Sequence, residues 1–346
     1  MAAAPASSSH NQVFPAYLRY PVLFLTYVLF KLLLWLVDKI GYSDRLWAAV
    51  GRKMRQHLIA GNDFGDYQPT PHDVIVCTYP KCGTNWTMQI AHQIAMRGHG
   101  DFEHIHDVVP WPDFAKQELL VPLADDSARK AAPTGLRVIK THLEWERVPY
   151  TKEARYICIL RDPKDAFVSQ YHFIRDVFFG PLMPTVAVWL RMFFSDAAPF
   201  VWEEHLHGYW KNRHLPNLLI LTFEEMNRDL PAAVHNIAAF MDVELTEEEF
   251  DTVCKKSSFA YMKAASRKFT PPAISPWSSP NRQMIRRGAS GGSSELITLE
   301  QQRFIDAKCR AGLQRLGSDF PFDDVWGKLS GVYEPPVFAT ETAEAS

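Results

Sequence analysis

The sequence predicts an α/β protein, a central parallel sheet flanked by helices, on three observations. Short, near-continuous apolar runs recur at Val74–Cys77, Leu136–Ile139, Tyr156–Leu160 and Leu218–Leu221. Runs without polar alternation belong to strands buried on both faces, the habit of parallel sheets. Segments of helical periodicity separate the runs, as crossover connections require. The first three runs also end in charged or Gly-containing motifs, where doubly wound sheets bind ligands at the carboxyl ends of their strands. A chain of 346 residues, 47% hydrophobic and without internal repeats, then makes one large domain with extensions.

In chain order, residues 1–13 are expected to be disordered and residues 14–40 to form a hydrophobic helix. Its apolar run, Pro21 to Val37, has a length that marginally spans a bilayer and is broken by Lys31. Tyr20, Tyr27, Lys31 and Asp38 share a narrow arc, so a thin polar stripe lies on a large apolar body. That favours a helix lying in, or dipping into, one leaflet. A cleaved signal is discounted, because the first eighteen residues carry no Lys or Arg and the run ends in Asp38-Lys39. If the helix crossed, Lys39, Arg45, Arg52, Lys53 and Arg55 after it, against Arg19 before it, would keep the catalytic part in the cytosol. The expectation is a cytoplasmic protein held at a membrane; docking of the helix on the domain or on a partner chain is the competing reading.

The segment Asp73 to Trp86 is expected to form a strand, a tight turn and a helix start. Trp86, Ile90 and Ile94 fall at helical spacing beyond the turn. Backbone N–H groups at that helix start would hold an oxyanion over Gly83, Thr84 and Asn85, with Lys81 adding a charge. Lys81 precedes Gly83, whereas an ATPase loop puts its Lys after the last Gly and follows it with Ser or Thr. This excludes a Walker loop, and with it a P-loop kinase; the plain alternative is a turn between packed elements. Further helices are expected at Thr84–Arg97, Lys164–Phe173, Val186–Arg213, Glu224–Met241 and Thr246–Lys255, the last opened by a Thr246/Glu249 capping box.

In the second motif Lys140 and His142 lie two apart at a strand end and face the same way, a cation beside a potential base. In the third, Asp162 as N-cap and Pro163 at the first helical position start a helix after Arg161, a second anion site with Ser169 further along. A lone structural His and an exposed Arg–Asp turn are the alternatives when each motif is taken alone. The five cysteines, Cys77, Cys82, Cys158, Cys254 and Cys309, have no zinc-type spacing, so reduced thiols and no structural metal are expected. Cys82 is either a packing residue or a thiol activated by its loop. A net charge of −2 argues against nucleic acid as a partner. Residues 268–294 shift to Pro, Ser, Gly and Arg and form a candidate lid, and residues 330–346 form a loose tail.

Together, Thr78 to Trp86, Val138 to His142, Arg161 to Phe173 and Arg286-Arg287-Gly288 resemble the cytosolic-type sulfotransferase family in residues, order and separations. The resemblance spans about residues 60–325 and implies a P-loop-like sulfotransferase domain over residues 60–328. It implies sulfuryl transfer from 3′-phosphoadenosine 5′-phosphosulfate (PAPS) to a hydroxyl or amine of a small, lipophilic acceptor, without a metal. In that family pattern Lys81, Cys82, Gly83, Thr84, Asn85 and Trp86 hold the 5′-phosphosulfate end, Arg161 and Ser169 the 3′-phosphate, and Arg286, Arg287 and Gly288 close over it. Trp86 and Phe259 flank adenine, His142 is the base, and Lys81 and Lys140 neutralise the leaving phosphate.

The sequence departs from the pattern in four places. Cys82 and Asn85 replace Ser and Thr, and Phe223 replaces a Tyr near the adenosine. Gly291-Gly292-Ser293-Ser294 replaces Gly-Asp-Trp-Lys, which predicts a looser lid. Ser294 and Arg303 flank Thr298-Leu299 where paired charges normally build a dimer, which predicts a monomer or a differently built dimer. A membrane-bound nucleotide sensor without turnover is the alternative function; retention of Lys81, Lys140 and His142 argues against it.

Overall fold

The computed structural model describes residues 16–59, 63–114, 117–271, 275, 277–279 and 281–327. The expected disordered start, residues 1–13, and the tail at 330–346 lie outside the described residues. Four parallel strands form the sheet: β1 (Asp73–Thr78), β2 (Arg137–Thr141), β3 (Arg155–Leu160) and β4 (Leu218–Thr222), in the order β2-β1-β3-β4. The register pairs Val76 with Lys140, Thr78 with Ile159 and Leu160 with Thr222. All four apolar runs are therefore strands, three of them extended by one or two residues and the second shifted to leave out Leu136 and take in Lys140 and Thr141.

Period-two alternation inside these strands feeds two separate cores. Ile75, Cys77, Tyr156, Cys158 and Leu160 face one core, while Val74, Val76, Ile157 and Ile159 face the other. The order of strand addition switches sides at β1, with β2 on one flank and β3 on the other, so the crevice at the carboxyl ends of β1 and β3 is the natural ligand site.

Two helices precede the sheet, α1 (Ala16–Lys39) and α2 (Ser43–Ile59). Gly41, at φ +74°, ends α1: Gly41 N–H donates to Asp38 and Tyr42 N–H to Val37, the double bond of a Schellman stop. The amphipathic α2 docks through buried Trp47 and a bidentate Arg191–Asp44 pair. Among the described residues, no helix is long and apolar enough to cross a membrane.

The crossovers use α3 (Thr84–Ala95), a short α4 (Ser127–Ala131) and α5 (Pro163–Ile174). The single helix expected over Val186–Arg213 is two, α6 (Val186–Phe193) and α7 (Trp202–Lys211). The α6 ladder ends at Phe193; beyond it Ser195 Oγ donates to the Met192 carbonyl and Pro199 lacks a donor, so it does not resume before Trp202. The stretch Glu224–Met241 likewise splits into α8 (Phe223–Arg228) and α9 (Leu230–Phe240), because Asp229 caps Ala232 and Pro231 occupies the first turn. Then follow α10 (Glu247–Ser257) with its expected Thr246/Glu249 capping box, α11 (Phe259–Ala264), α12 (Leu299–Arg315) and α13 (Phe322–Trp326).

Candidate active site

The strand β1 ends at Thr78, and the chain then turns sharply enough to place Lys81 at φ +73° and Gly83 at φ +92°. A β-carbon on Gly83 would sit 3.0 Å from the Phe223 ring, so both conformation and space call for glycine. Lys81 is strained in the left-handed region without that freedom, as residues at ligand sites often are. Gly83 opens α3 with no side-chain cap, leaving the dipole end available to an anion. The Thr84 hydroxyl lies 2.6 Å from that of Thr78, so it is shared with the strand end. Cys82 is packed away at 1% exposure, and burial pushes its thiol up to about 12, which makes it the packing residue. Asn85 is half-buried on the first turn of α3.

His142 stands immediately after β2, and parallel pairing brings it beside the end of β1. Its Nδ1 lies 2.7 Å from the Thr78 carbonyl, which can only accept, so Nδ1 carries the proton and the neutral ring keeps its lone pair on Nε2. The His142 backbone N–H donates to Asp113 Oδ2 at 3.1 Å. Burial, with Lys140 beside it, holds the imidazole well below its ordinary pKa.

Lys140 is 3% exposed, with Nζ 3.1 Å from the Trp111 ring centroid. Burial and the neighbouring Lys81 push it down to about 7, against the pull of Asp113. Lys81 Nζ lies 4.4 Å from the centroid of Phe173; burial, then Arg161 and Arg286, lower it to about 7. Lys81 keeps part of its surface open, whereas Lys140 is enclosed. The centre is a cluster of mutually repelling cations, arranged to be relieved by an anion.

Arg161 joins the two anion motifs: Nη1 donates to the Lys81 carbonyl at 2.8 Å and Nη2 to that of Ala289 at 3.4 Å, while the guanidinium lies 4.1 Å over Phe223. Its Nε is buried with no protein partner. Asp162 caps α5 by accepting from Lys164 N–H, as expected, and Ser169 is half-buried further along α5. Trp86 donates to the Ser257 carbonyl at 2.8 Å and meets Phe223 edge-on, so Phe223 packs between the Gly83 turn and Trp86. Gly288, at φ +63°, presses on Phe259: a β-carbon there would be 2.1 Å from the ring.

The candidate lid makes polar contacts with the domain through its main chain. Gly291 N–H donates to Asp165 at 2.7 Å, and Lys263 Nζ holds the carbonyls of Ile285 and Arg286. Trp111 and Phe200 lie edge-on to His142 at 5.3 and 6.0 Å between centroids; sequence reasoning missed Trp111, and also Asp113, which holds the His142 backbone. No spacing links these positions to residue 142. It also missed Glu295, the carboxylate against Arg286 and Arg287. Among the described residues, no group of three or more His, Cys, Asp and Glu could hold a metal ion.

A family profile described as a sulfotransferase domain matches residues 71–317. Sulfotransferase 1C2 of Oryctolagus cuniculus is 26% identical over 272 residues, covering 73% of this chain and 87% of its own. Sulfotransferase 1B1 of Mus musculus is 30% identical over 252 residues, covering 70% and 83%. The crystal structure of mouse sulfotransferase SULT7A1 complexed with PAP superposes at a TM-score of 0.54 with 25% identity, covering 72% and 86%. Retinol dehydratase, solved with androsterone and inactive cofactor PAP, shares the fold at a TM-score of 0.57 and 20% identity, covering 75% and 84%. With that match running from the first strand through α12, across the cation cluster and its lid, the chain belongs to the sulfotransferase family and is a PAPS-dependent sulfotransferase.

Proposed function

We propose that the protein moves the sulfuryl group of PAPS to a hydroxyl or amine of a small, lipophilic acceptor, with His142 as general base. The observation that carries this reading is the Nδ1 contact to Thr78, which leaves Nε2 free to accept a proton, with Lys140 two residues before it. Sulfuryl transfer resembles phosphoryl transfer, so positioning and charge stabilisation do most of the catalysis. Lys81 and Lys140 regain full protonation as a dianionic donor end enters, and oppose charge on the departing phosphate. The same incoming charge raises the His142 pKa from its depressed value, which strengthens it as a base. Arg161, with Nε unpaired, and Ser169 face the 3′-phosphate; Trp86 and Phe259 take the adenine. The uncapped start of α3 and the crowded cations fit such a donor.

Aromatic walls support an apolar acceptor. Trp111 and Phe200 flank His142, and Tyr79 meets Phe193 and Phe200. The solved neighbours carry androsterone and retinol, which are apolar alcohols. The test is transfer of labelled sulfate from PAPS to phenols, sterols, fatty alcohols and amines, wild type beside His142→Ala. Transfer that collapses in the variant, with donor binding retained, is expected; equal transfer by both removes His142 from the mechanism.

The proposal extends to location. Phe24, Leu25, Leu29, Leu32, Leu33 and Trp35 on α1 are each more than half exposed, which supports a helix lying along a membrane interface with the catalytic part in the cytosol. Flotation of the full chain with anionic vesicles, lost in Leu25→Glu/Leu29→Glu, is the expected result. The replaced charges at Ser294 and Arg303 support a monomer or a non-standard dimer, read by sizing.

A further inference from the structure

Arg286 and Arg287 do not wait for their ligand unpartnered. Arg286 Nη1 lies 2.5 Å from Glu295 Oε1, and Arg287 Nη1 contacts Glu295 Oε2, so one carboxylate bridges both guanidinium groups. The His172 Nε2 lies 3.6 Å from the same Oε1. Glu295 lies on the short turn Ser293–Glu295, a residue exposed overall whose side chain, folded against the arginines, is 17% exposed. Gly291 N–H donates to Asp165 and the Ala289 carbonyl accepts from Arg161, so the stretch between the two arginines and Glu295 is tethered at two points. A carboxylate offers a guanidinium two oxygens much as a phosphate does.

We propose that Glu295 is an internal competitor for the 3′-phosphate: it occupies Arg286 and Arg287 in the empty enzyme and must yield them when the donor binds. This rests on the assignment of those two arginines to the 3′-phosphate. A binding-competent state that is only partly populated weakens apparent affinity by its fractional population. The intramolecular carboxylate therefore lowers affinity for both donor and spent bisphosphate, and its return to the arginines hastens product release. Ligands lacking the 3′-phosphate never contest the pair and gain nothing from its loss.

Calorimetric titration of the full chain with adenosine 3′,5′-bisphosphate and with adenosine 5′-phosphate tests this. In Glu295→Gln, the bisphosphate is expected to bind about five- to tenfold tighter while the monophosphate changes by less than about twofold. Glu295→Asp, too short to bridge both arginines, should tighten bisphosphate binding by a smaller factor, and it carries the test if the Gln variant fails to fold. Unchanged or weaker bisphosphate binding in both variants overturns the proposal, as does equal tightening of the two nucleotides. A wild type with no preference for the bisphosphate removes the assignment of the arginines, and the competitor with it. Preference without tightening removes the competitor alone.

Discussion

The donor side and the acceptor side of this active site are built in opposite ways. Lys81, Gly83, Thr84 and Trp86 follow one another along a single turn, and Lys140 and His142 are two residues apart. The proposed acceptor side, around His142, draws Trp111 and Asp113 from the loop before β2 and Phe200 from the break between α6 and α7. The difference lies in the physics of what each must do. An anion is held by directional donors at a helix start, so its site leaves a compact pattern in the chain. An apolar wall requires only bulk, and burial is non-directional, so aromatic residues from anywhere in the sequence can supply it.

The sharpest way to break this contrast is His142→Ala, which should cut turnover about 10²- to 10⁴-fold while donor affinity stays within about twofold. A parallel loss of donor binding would merge the two sides. Lys140→Met should follow with a loss of about 10²-fold in kcat, read by single-turnover transfer, because a charge-stabilising donor is removed. Arg161→Ala should weaken bisphosphate binding by about tenfold or more, since its guanidinium joins the loop carbonyl of Lys81 to the lid.

A pH series sharpens the donor side further. Lys81 and Lys140 sit at about 7 in the empty site, so they are charged below that value and largely neutral above it. On their proposed role the donor binds to the charged lysines, so affinity should fall as pH rises above about 7, with proton uptake on binding. Calorimetry in two buffers of different ionisation enthalpy measures that uptake, and a flat profile would show that other groups hold the donor. The smallest expected effect is Phe223→Tyr, which restores a hydroxyl beside Trp86 and should tighten donor binding by about threefold, read in the same titration.

Four strands, the α3 start at Thr84 and the α5 start at Asp162-Pro163 were legible because each is dictated locally, by continuous apolar runs or by caps. The two long helices were misjudged for equally local reasons: Ser195, Pro199, Asp229 and Pro231 each stop a helix whose apolar periodicity continues past them. The expectation of a loose lid rested on lost aromatic residues alone; the bonds from Asp165 and Lys263 to its main chain come from side chains distant in sequence and left no local signal.

By itself the sequence determined the parallel sheet, the anion-binding turn and the pairing of a lysine with a histidine, because these follow from backbone geometry over a few residues. Only the tertiary structure decided which nitrogen of His142 is free, since that depends on the Thr78 carbonyl, 64 residues away, across the β1–β2 register. It likewise decided that Lys81 and Lys140 are depressed and that Glu295 meets both lid arginines. Charge, burial and proton position are properties of neighbours, and the neighbours of a side chain exist only once the chain has folded.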